Sequence, residues 1–384
     1  MTTEPLSARA ERLGSIQRAL SGPGRYEEAF ERAEGVTLAL AGSVEAQLRA
    51  TPDLAAELLA VPLAEREALV GSDARFHSAP LAAVLLDEAR EHPELGEELL
   101  LTACLVLHRV NTEYGKPLQV CAQALLAEVE RQRGDWEAAE KHLVTAAEDL
   151  HDWSVSFDRA VYCVAVANLR RDQGRWDEAV AIRRRAGEIY EALEEGVEAA
   201  EVFLGLGDWC MAIGSVREAS SSYAAALLQE LSPGQALAAT RGLAYTFALR
   251  GKPDMALDVI RATRRELAPA SYEALVLGLL EGQMLLLRDA ERAVRQGRRE
   301  LRRAFEGLLR LGKQSEALQA GLALLLSDAR GGAKVAAQIL GFVPASWPGV
   351  REALAEVKAT GHLPAGRRAI VHRYLATAGG HHGA

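Results

Sequence analysis

The segments Gly134-Asp135-Trp136-Glu137-Ala138-Ala139, Gly174-Arg175-Trp176-Asp177-Glu178-Ala179 and Gly214-Ser215-Val216-Arg217-Glu218-Ala219 are three copies of one pattern, and their glycines are spaced 40 residues apart. A fourth copy, Gly251-Lys252-Pro253-Asp254-Met255-Ala256, begins 37 residues after the third. Self-similarity at a fixed period of about 20–50 residues indicates a repeat array, in which each repeat is one supersecondary unit. We therefore expect the middle of the chain to be a row of similar helical units.

Each copy predicts the turn between two helices. Glycine ends a helix readily because it adopts the left-handed conformation without a Cβ penalty. Asp135, Asp177 and Asp254 then place negative charge at the start of the next helix, where the helix dipole favours it. Three copies carry two alanines seven residues apart, on one face of that helix: Ala139 with Ala146, Ala179 with Ala186, and Ala219 with Ala226. In the fourth copy Ala256 is followed by Thr263, so small residues at this face should let helices approach closely.

The helix before each turn carries an apolar stripe at helical spacing. In the third copy the stripe consists of Phe203, Leu206, Gly207 and Cys210. Gly207 is expected to lie where only a small side chain admits a neighbour. The matching positions of Trp136 and Trp176 in their turns predict that both rings pack between adjacent helices.

The composition indicates an all-α protein. Of 384 residues, 49% are hydrophobic and only 5% are aromatic, with alanine and leucine dominating the apolar set. Strands prefer β-branched and aromatic residues, and no stretch alternates in that style. The chain is long enough for one extended repeat array.

The net charge and the cysteine content predict a cytoplasmic protein. Its overall charge of −9 disfavours attraction to nucleic acid or to an anionic membrane. No basic and apolar leader opens the sequence, and no apolar run approaches the ~20 residues that span a bilayer. The cysteines are far apart and are expected to be buried, reduced thiols: Cys104, Cys121, Cys163 and Cys210.

The pattern resembles the tetratricopeptide repeat (TPR). The first helix of that family carries Leu-Gly or Leu-Ala, matched here by Leu126-Ala127, Leu206-Gly207 and Leu243-Ala244, and the turns above match the rest. The departures are a period of 40 rather than about 34 residues and the absence of a proline after the second helix. The long form resembles kinesin light chains and bacterial regulatory TPR proteins. The resemblance implies a right-handed α-solenoid of helix pairs with atypical helical caps at both ends.

The repeat signal sets the expected domain limits. Residues 1–76 are expected to form an N-terminal helical cap, and residues 77–330 the solenoid. The signal is strongest over 117–268 and degenerate over 77–112 and 270–330; over 271–311 one long helix is an alternative to a clean pair. Residues 331–384 are expected to be short helices, broken by Pro344, Pro348 and Pro364, and a flexible tail.

The sequence predicts no catalytic residues, metal site or cofactor. It contains no P-loop, no Gly-x-Ser-x-Gly, no His-Glu-x-x-His and no Gly-x-Gly-x-x-Gly after a strand. Its histidines are scattered and do not show the spacing of metal ligands.

The resemblance implies a partner-binding groove, because the first helices of TPR pairs line the concave side of the solenoid. The matching positions hold Glu128, Arg131, Asn168, Arg171, Asp208, Arg241 and Tyr245. Such side chains can hydrogen-bond an extended peptide. The chaperone-type carboxylate clamp is excluded, since Val164 stands where that clamp needs a basic residue. The alternative is that these residues are ordinary polar helix surface.

A second candidate site is a cationic stripe along one face of a predicted helix, here called the arginine stripe. It consists of Arg292, Arg295, Arg299 and Arg303, at steps of three and four residues. It could bind an acidic partner, a phosphorylated ligand or RNA phosphate. The alternative is a solvated helix face neutralised by Glu291, Glu300 and Glu306.

Taken together, the sequence favours a non-enzymatic scaffold or adaptor that binds a protein or peptide. One alternative is a ligand-sensing regulator that controls a transcription factor, a kinase or a protease. Another is a nucleic-acid-associated protein that uses the arginines of residues 288–310. The sequence leaves the partner and the oligomeric state open.

Overall fold

The computed structural model describes residues 51–92, 95–110, 115–150, 155–288, 290–327 and 331–378. All regular secondary structure in these ranges is helical. The chain divides into two compact units, an N-terminal unit over Met1–Leu193 and a C-terminal unit over Glu194–Ala384. The first 50 residues of the expected cap and the tail beyond 378 lie outside the described residues.

The N-terminal unit contains seven numbered helices in its described part. Residues 51–60 are helical and precede α1 (Leu63–Ser72), α2 (Ala79–Glu91), α3 (Gly96–Leu107), α4 (Gly115–Arg133), α5 (Trp136–Asp149), α6 (Phe157–Asp172) and α7 (Trp176–Ala192). A short 3-10 helix, Ala74–Phe76, follows α1. Sequential helices pack against one another, so the core is a row of layers.

The C-terminal unit continues the pattern. Its helices are α8 (Gly196–Ala212), α9 (Val216–Ala226), α10 (Pro233–Leu249), α11 (Pro253–Glu266), α12 (Tyr272–Leu286), α13 (Glu291–Arg310), α14 (Gln314–Leu326), α15 (Gly332–Ile339), α16 (Pro348–Thr360) and α17 (Ala365–Ala378). Pro348 opens α16 and Pro364 precedes α17, as the proline pattern predicts. A 3-10 helix, Leu340–Phe342, follows α15.

The repeated glycines end the first helix of each pair. Four of them, at positions 134, 174, 214 and 251, have φ between +68° and +82°, and Gly312 has φ +70° at a further turn between α13 and α14. A side chain would be strained there, which is why glycine recurs. Asp135 caps the following helix, since the amide of Ala138 donates to its Oδ1 at 2.9 Å. The predicted turn chemistry is confirmed.

Small residues permit the close helix packing that the sequence predicts. The six paired alanines of the first three copies and Ala256 are fully buried, at 0% exposure. The hydroxyl oxygens of Thr263 and Thr240 lie 2.7 Å apart, so the two side chains form a hydrogen bond between their helices. Gly207 faces the ring of Tyr223, and an added Cβ would lie 2.5 Å from the ring.

The expectation that Trp136 packs between helices is wrong, and the choice left open over 271–311 is decided. Residues 271–311 form two helices, α12 and α13, and not the alternative of one long helix. They cross at Gly282 and Gly297, where an added Cβ on either would come within 3.0 Å of the other's carbonyl oxygen. The ring of Trp136 is 44% exposed, because it stands at the first residue of α5, at the end of its hairpin. Trp176 is half-buried.

Within the described ranges, no helix combines the length and apolar character that a bilayer crossing requires.

Candidate functional site

In the N-terminal unit, three predicted groove residues join one hydrogen-bonded group, here called the Arg131 network: Glu128, Arg131, Asn168 and Asp172. The guanidinium of Arg131 on α4 donates twice to Glu128, at 2.9 and 2.6 Å, and also to Asp172 at the end of α6. Asn168 donates to Glu128 at 3.2 Å. Arg131 is only 13% exposed. The network therefore ties neighbouring first helices together.

Two further arginines complete these contacts. Arg183 on α7 donates to the amide oxygen of Asn168 at 3.0 Å, and Arg171 donates to Asp172 at 2.8 Å. All four predicted groove residues of this unit are thus engaged with protein partners. Sequence reasoning missed Asp172 and Arg183. Asp172 lies 41 residues after Arg131, about one repeat on, and that spacing is the signal that could have revealed it.

The network keeps its carboxylates charged. Burial alone would raise the pKa of Glu128, but hydrogen bonds from Arg131, Gln132 and Asn168 and the Arg131 charge hold it below its ordinary value. The pKa of Asp172 is lowered too, because contacts with Arg171 and Arg131 outweigh its burial. Carboxylates with lowered pKa stabilise the fold above their ordinary pKa values and lose this contribution as the pH falls through the folded values.

We expect Arg131→Met to destabilise the N-terminal unit in a pH-dependent way. At pH 7 it removes charge-assisted hydrogen bonds worth about 1.5–3 kcal/mol each and leaves the half-buried Glu128 without its cationic partner, while Asp172 keeps Arg171. At an acidic pH below the lowered pKa values of Glu128 and Asp172 in the folded protein, the carboxylates are protonated in both proteins, so the difference should shrink. Urea unfolding at both pH values measures it. The control is Lys141→Met, which breaks an exposed pair with Glu137; an equal loss for Arg131→Met at both pH values would contradict the assignment.

In the C-terminal unit, a tyrosine ring packs between glycines of two helices. The ring of Tyr223 on α9 lies between Gly207 of α8 and Gly242 of α10, and an added Cβ on either would come within 2.5 Å of it. Its hydroxyl donates to Oδ1 of the predicted residue Asp208 at 2.5 Å. Burial, followed by this bond and the Asp208 charge, raises the pKa of Tyr223 well above its usual range. Tyr223, which belongs to the second helix of its pair, thus contacts the predicted groove residue Asp208 on the first helix.

Arg241 of α10 directly precedes Gly242, which packs against the Tyr223 ring. Its charge acts to lower the pKa of both Tyr223 and Tyr272, so both hydroxyls are near it. Arg241 is half-buried, and it makes neither a hydrogen bond nor an ion pair with any residue in the described ranges. Tyr245, one turn further along α10, is 48% exposed. We call Asp208, Tyr223, Arg241, Tyr245 and Tyr272 the Arg241 cluster.

Tyr272 of the cluster is held in place by two residues at the start of α14. Tyr272 of α12 donates to Glu316 of α14 at 2.7 Å. The ammonium of Lys313 stands 5.0 Å from the centre of the Tyr272 ring. Burial and the Glu316 contact together raise the pKa of Tyr272 to about 12, so its hydroxyl stays protonated at neutral pH. Tyr223, Tyr272 and Gly242 were missed by sequence reasoning, because none belongs to the repeated pattern.

The two units thus treat the predicted groove residues differently. In the N-terminal unit Glu128, Arg131, Asn168 and Arg171 are engaged with one another or with neighbours. In the C-terminal unit Arg241 has hydrogen-bonding capacity to spare. A half-buried cation without a partner has lost part of its hydration with no compensation from the protein.

The arginine stripe lies on the outer face of α13. Arg292, Arg295, Arg299 and Arg303 are all exposed. The buried face of the same helix contains Ala293, Gly297, Leu301, Ala304, Phe305 and Leu308. The helix is therefore divided into an apolar inner side and a cationic outer side.

A cleft of about 450 Å³ opens among α1, α3 and α4 in the N-terminal unit. Its walls include Leu63, Leu101, Cys104, His108 and Gln119. Burial raises the pKa of the Cys104 thiol to about 12, so this sulfur is a poor nucleophile. In the described ranges no three of His, Cys, Asp and Glu side chains are placed to hold a metal ion.

Comparison with known proteins identifies the repeat. The tetratricopeptide-repeat family model matches residues 163–195, which contain most of α6 and all of α7. The C-terminal part of a TPR repeat-containing protein from Cytophaga hutchinsonii is similar in fold: TM-score 0.50, 12% identity, covering 70% of this chain and 96% of that one. The search of curated proteins found no match.

Two other solved structures are similar to part of this chain. One is a Podosopora anserina putative kinesin light chain with nearly identical TPR-like repeats (TM-score 0.40, 17% identity, 51% of this chain and 98% of that one). The other is the Rap conjugation gene regulator of plasmid pLS20 in complex with the Phr* peptide (TM-score 0.37, 14% identity, 76% and 88%). The chain thus has an all-α helical-repeat fold of the tetratricopeptide type, and the fold class predicted from the sequence is confirmed.

Proposed function

We propose that this protein is a non-enzymatic binding module that holds a peptide segment of a partner protein on the first-helix face of its C-terminal unit. The observation that carries the proposal is the half-buried Arg241, which has no hydrogen-bond or ion-pair partner among the described residues. Repeat arrays offer extended surfaces for such segments. TPR-type folds are generally scaffolds, which agrees with the absence of a catalytic constellation in the sequence.

The chemistry of the Arg241 cluster suits a carboxylate-bearing peptide. A guanidinium binds a carboxylate with two parallel hydrogen bonds, and the pairing is stronger where water is partly excluded. Tyr245 offers an exposed ring for an apolar or backbone contact on the same helix face. Asp208 is exposed and, within the described residues, accepts a hydrogen bond only from the Tyr223 hydroxyl, so its remaining lone pairs can accept a peptide N–H.

Of the groove residues that the sequence predicts, only those in the C-terminal unit would contact the ligand. In the N-terminal unit, the predicted groove residues already have protein partners and would stabilise the packing of the helices. These residues are Glu128, Arg131, Asn168 and Arg171. Arg241, Tyr245 and Asp208 would meet the ligand. Partner specificity would then depend on one carboxylate and its spacing from an aromatic or apolar side chain.

We expect a display library of random 12-residue peptides with free C-termini to yield sequences that the protein retains and that Arg241→Glu/Tyr245→Ala does not. Charge reversal places a carboxylate against the ligand's own carboxylate, and the second change removes the exposed ring. Synthetic copies of the selected peptides, with each carboxylate replaced in turn by its amide, should include one replacement that weakens binding about tenfold or more.

The control variant is Arg250→Glu, which makes the same charge reversal at an exposed arginine outside the Arg241 cluster. It should retain the selected peptides. Recovery of the same peptides by the Arg241 variant would place their binding elsewhere, and a library from which nothing is retained by the unmodified protein would contradict the proposal.

A further inference from the structure

We propose that the arginine stripe is a second docking surface, and that its partner is an acidic segment of another protein. This surface is separate from the Arg241 cluster and does not depend on the function proposed above. It rests on how the structure distributes the carboxylates around α13.

The glutamates expected to neutralise the stripe are largely directed elsewhere. Glu300 faces inward and accepts from Arg264 of α11 at 2.9 Å. Arg264 also binds the buried Glu281 at 2.7 Å, so Glu300 belongs to an internal ion cluster. Within the described ranges, Glu291 pairs only with Arg295, at a long 3.6 Å. Glu306 is exposed and forms no ion pair with the stripe among the described residues.

Three arginines of the stripe are consequently open. Arg292, Arg299 and Arg303 are exposed, and no described residue forms an ion pair with them. The neighbouring Arg288 is instead held by Asp254 at 3.2 Å, and Arg298 turns inward to the carbonyl of Ser327. Arginine pairing on α13 is therefore selective, and the unpaired guanidiniums are the ones that share a single outward stripe.

The spacing of the stripe fits an acidic helix or extended acidic run. From Arg292 to Arg303 the helix rises about 16 Å, in steps of about 5–6 Å. Carboxylates three or four residues apart on a partner helix have the same spacing, so that each guanidinium can meet one carboxylate with bidentate hydrogen bonds. The apolar inner face of α13 is buried in its own unit, which leaves charge as the basis of recognition.

A protein segment fits better than a nucleic acid. Binding through phosphates commonly uses 6–10 contacts, whereas the stripe offers about four cations on one helix. A nucleic acid long enough to gain more contacts would extend over a chain whose net charge is −9. A short acidic segment can bind the stripe without extending beyond it.

The test uses fluorescein-labelled decaglutamate, with decathymidylate as the nucleic-acid comparator, in fluorescence anisotropy at about 20 mM salt. We expect the unmodified protein to bind decaglutamate at least tenfold more tightly than the variant Arg292→Glu/Arg299→Glu/Arg303→Glu. The control is Arg217→Glu/Arg250→Glu/Arg351→Glu, which makes the same change in net charge at exposed arginines outside α13. It should stay within about threefold of the unmodified protein.

Each other outcome counts against the proposal. Absence of decaglutamate binding, or equal binding by the unmodified protein and the stripe variant, would overturn the surface. An equal loss in the control variant would show an effect of net charge alone. Tighter binding of decathymidylate than of decaglutamate through the same three arginines would replace the acidic protein segment by nucleic acid. Circular dichroism of both triple variants verifies that they remain helical.

Discussion

Replacing Arg66 by methionine should cost the N-terminal unit about 3–5 kcal/mol of its free energy of unfolding. The side chain of Arg66 is 1% exposed, and its guanidinium pairs with Glu98 of α3 at 2.6 Å. It also donates to the Thr102 hydroxyl at 2.7 Å and to the carbonyls of Leu59 and Val61. Methionine fills similar space but removes the guanidinium's hydrogen bonds to the Glu98 carboxylate, to the Thr102 hydroxyl and to the two carbonyls.

Hydrogen exchange of the amides of α1 and α3 measures this loss most locally. We expect their protection to fall by about a hundredfold or more, at 1.4 kcal/mol per factor of ten. The matched control is Arg75→Met, because Arg75 is 58% exposed and its ion pairs with Glu57 and Asp73 lie in solvent; protection should be nearly unchanged. The double variant Arg66→Met/Glu98→Leu should recover part of the loss. Similar protection in the two single variants would contradict the buried-pair account.

Replacing Gly207 by valine should destabilise the C-terminal unit by about 1–3 kcal/mol, as overpacking of a dense core does. Its first added carbon would lie 2.5 Å from the Tyr223 ring. The ring cannot move aside freely, since Gly242 confines its other face and Asp208 holds its hydroxyl. The substitution should therefore also displace the Asp208 carboxylate and weaken peptide binding.

A double-mutant comparison separates this clash from the higher helix propensity of valine relative to glycine, which acts in the opposite direction. In a Tyr223→Leu background the ring is gone, so Gly207→Val should cost clearly less than in the unmodified protein. Gly234→Val is the positional control, because nothing lies within 4 Å of an added Cβ at Gly234. Urea unfolding of the five proteins provides the measurement, and an equal cost of Gly207→Val in both backgrounds would contradict the role assigned to Tyr223.

The turns and the helix pairing could be predicted from the sequence because their causes are local. A glycine with positive φ, an acidic cap and an alanine one turn later are readable within six residues. The position of Trp136 in the same motif did not reveal its exposure, because that depends on which other helices reach it. The split of 271–311 into α12 and α13 was also hidden, since it depends on the crossing at Gly282 and Gly297.

The candidate site shows the same limit at the level of single side chains. Repeat position correctly brought Glu128, Arg131 and Asn168 together, since residues about 40 apart lie on adjacent first helices. It could not show that they bind one another. Similarly, the sequence suggested Glu300 as a partner of the arginine stripe. The structure shows that Glu300 instead accepts a hydrogen bond from Arg264 of α11, a contact that depends on helix packing.

The most direct test of the central claim is the dissociation constant of a peptide selected on the unmodified protein, measured for Arg241→Gln and for Arg250→Gln. Both changes remove one positive charge from α10 or the turn that follows it, but Arg250 lies outside the cluster and is exposed. The account predicts that Arg241→Gln weakens binding about tenfold or more, while Arg250→Gln stays within about twofold. Equal dissociation constants for both variants and the unmodified protein, with helicity unchanged, would contradict it.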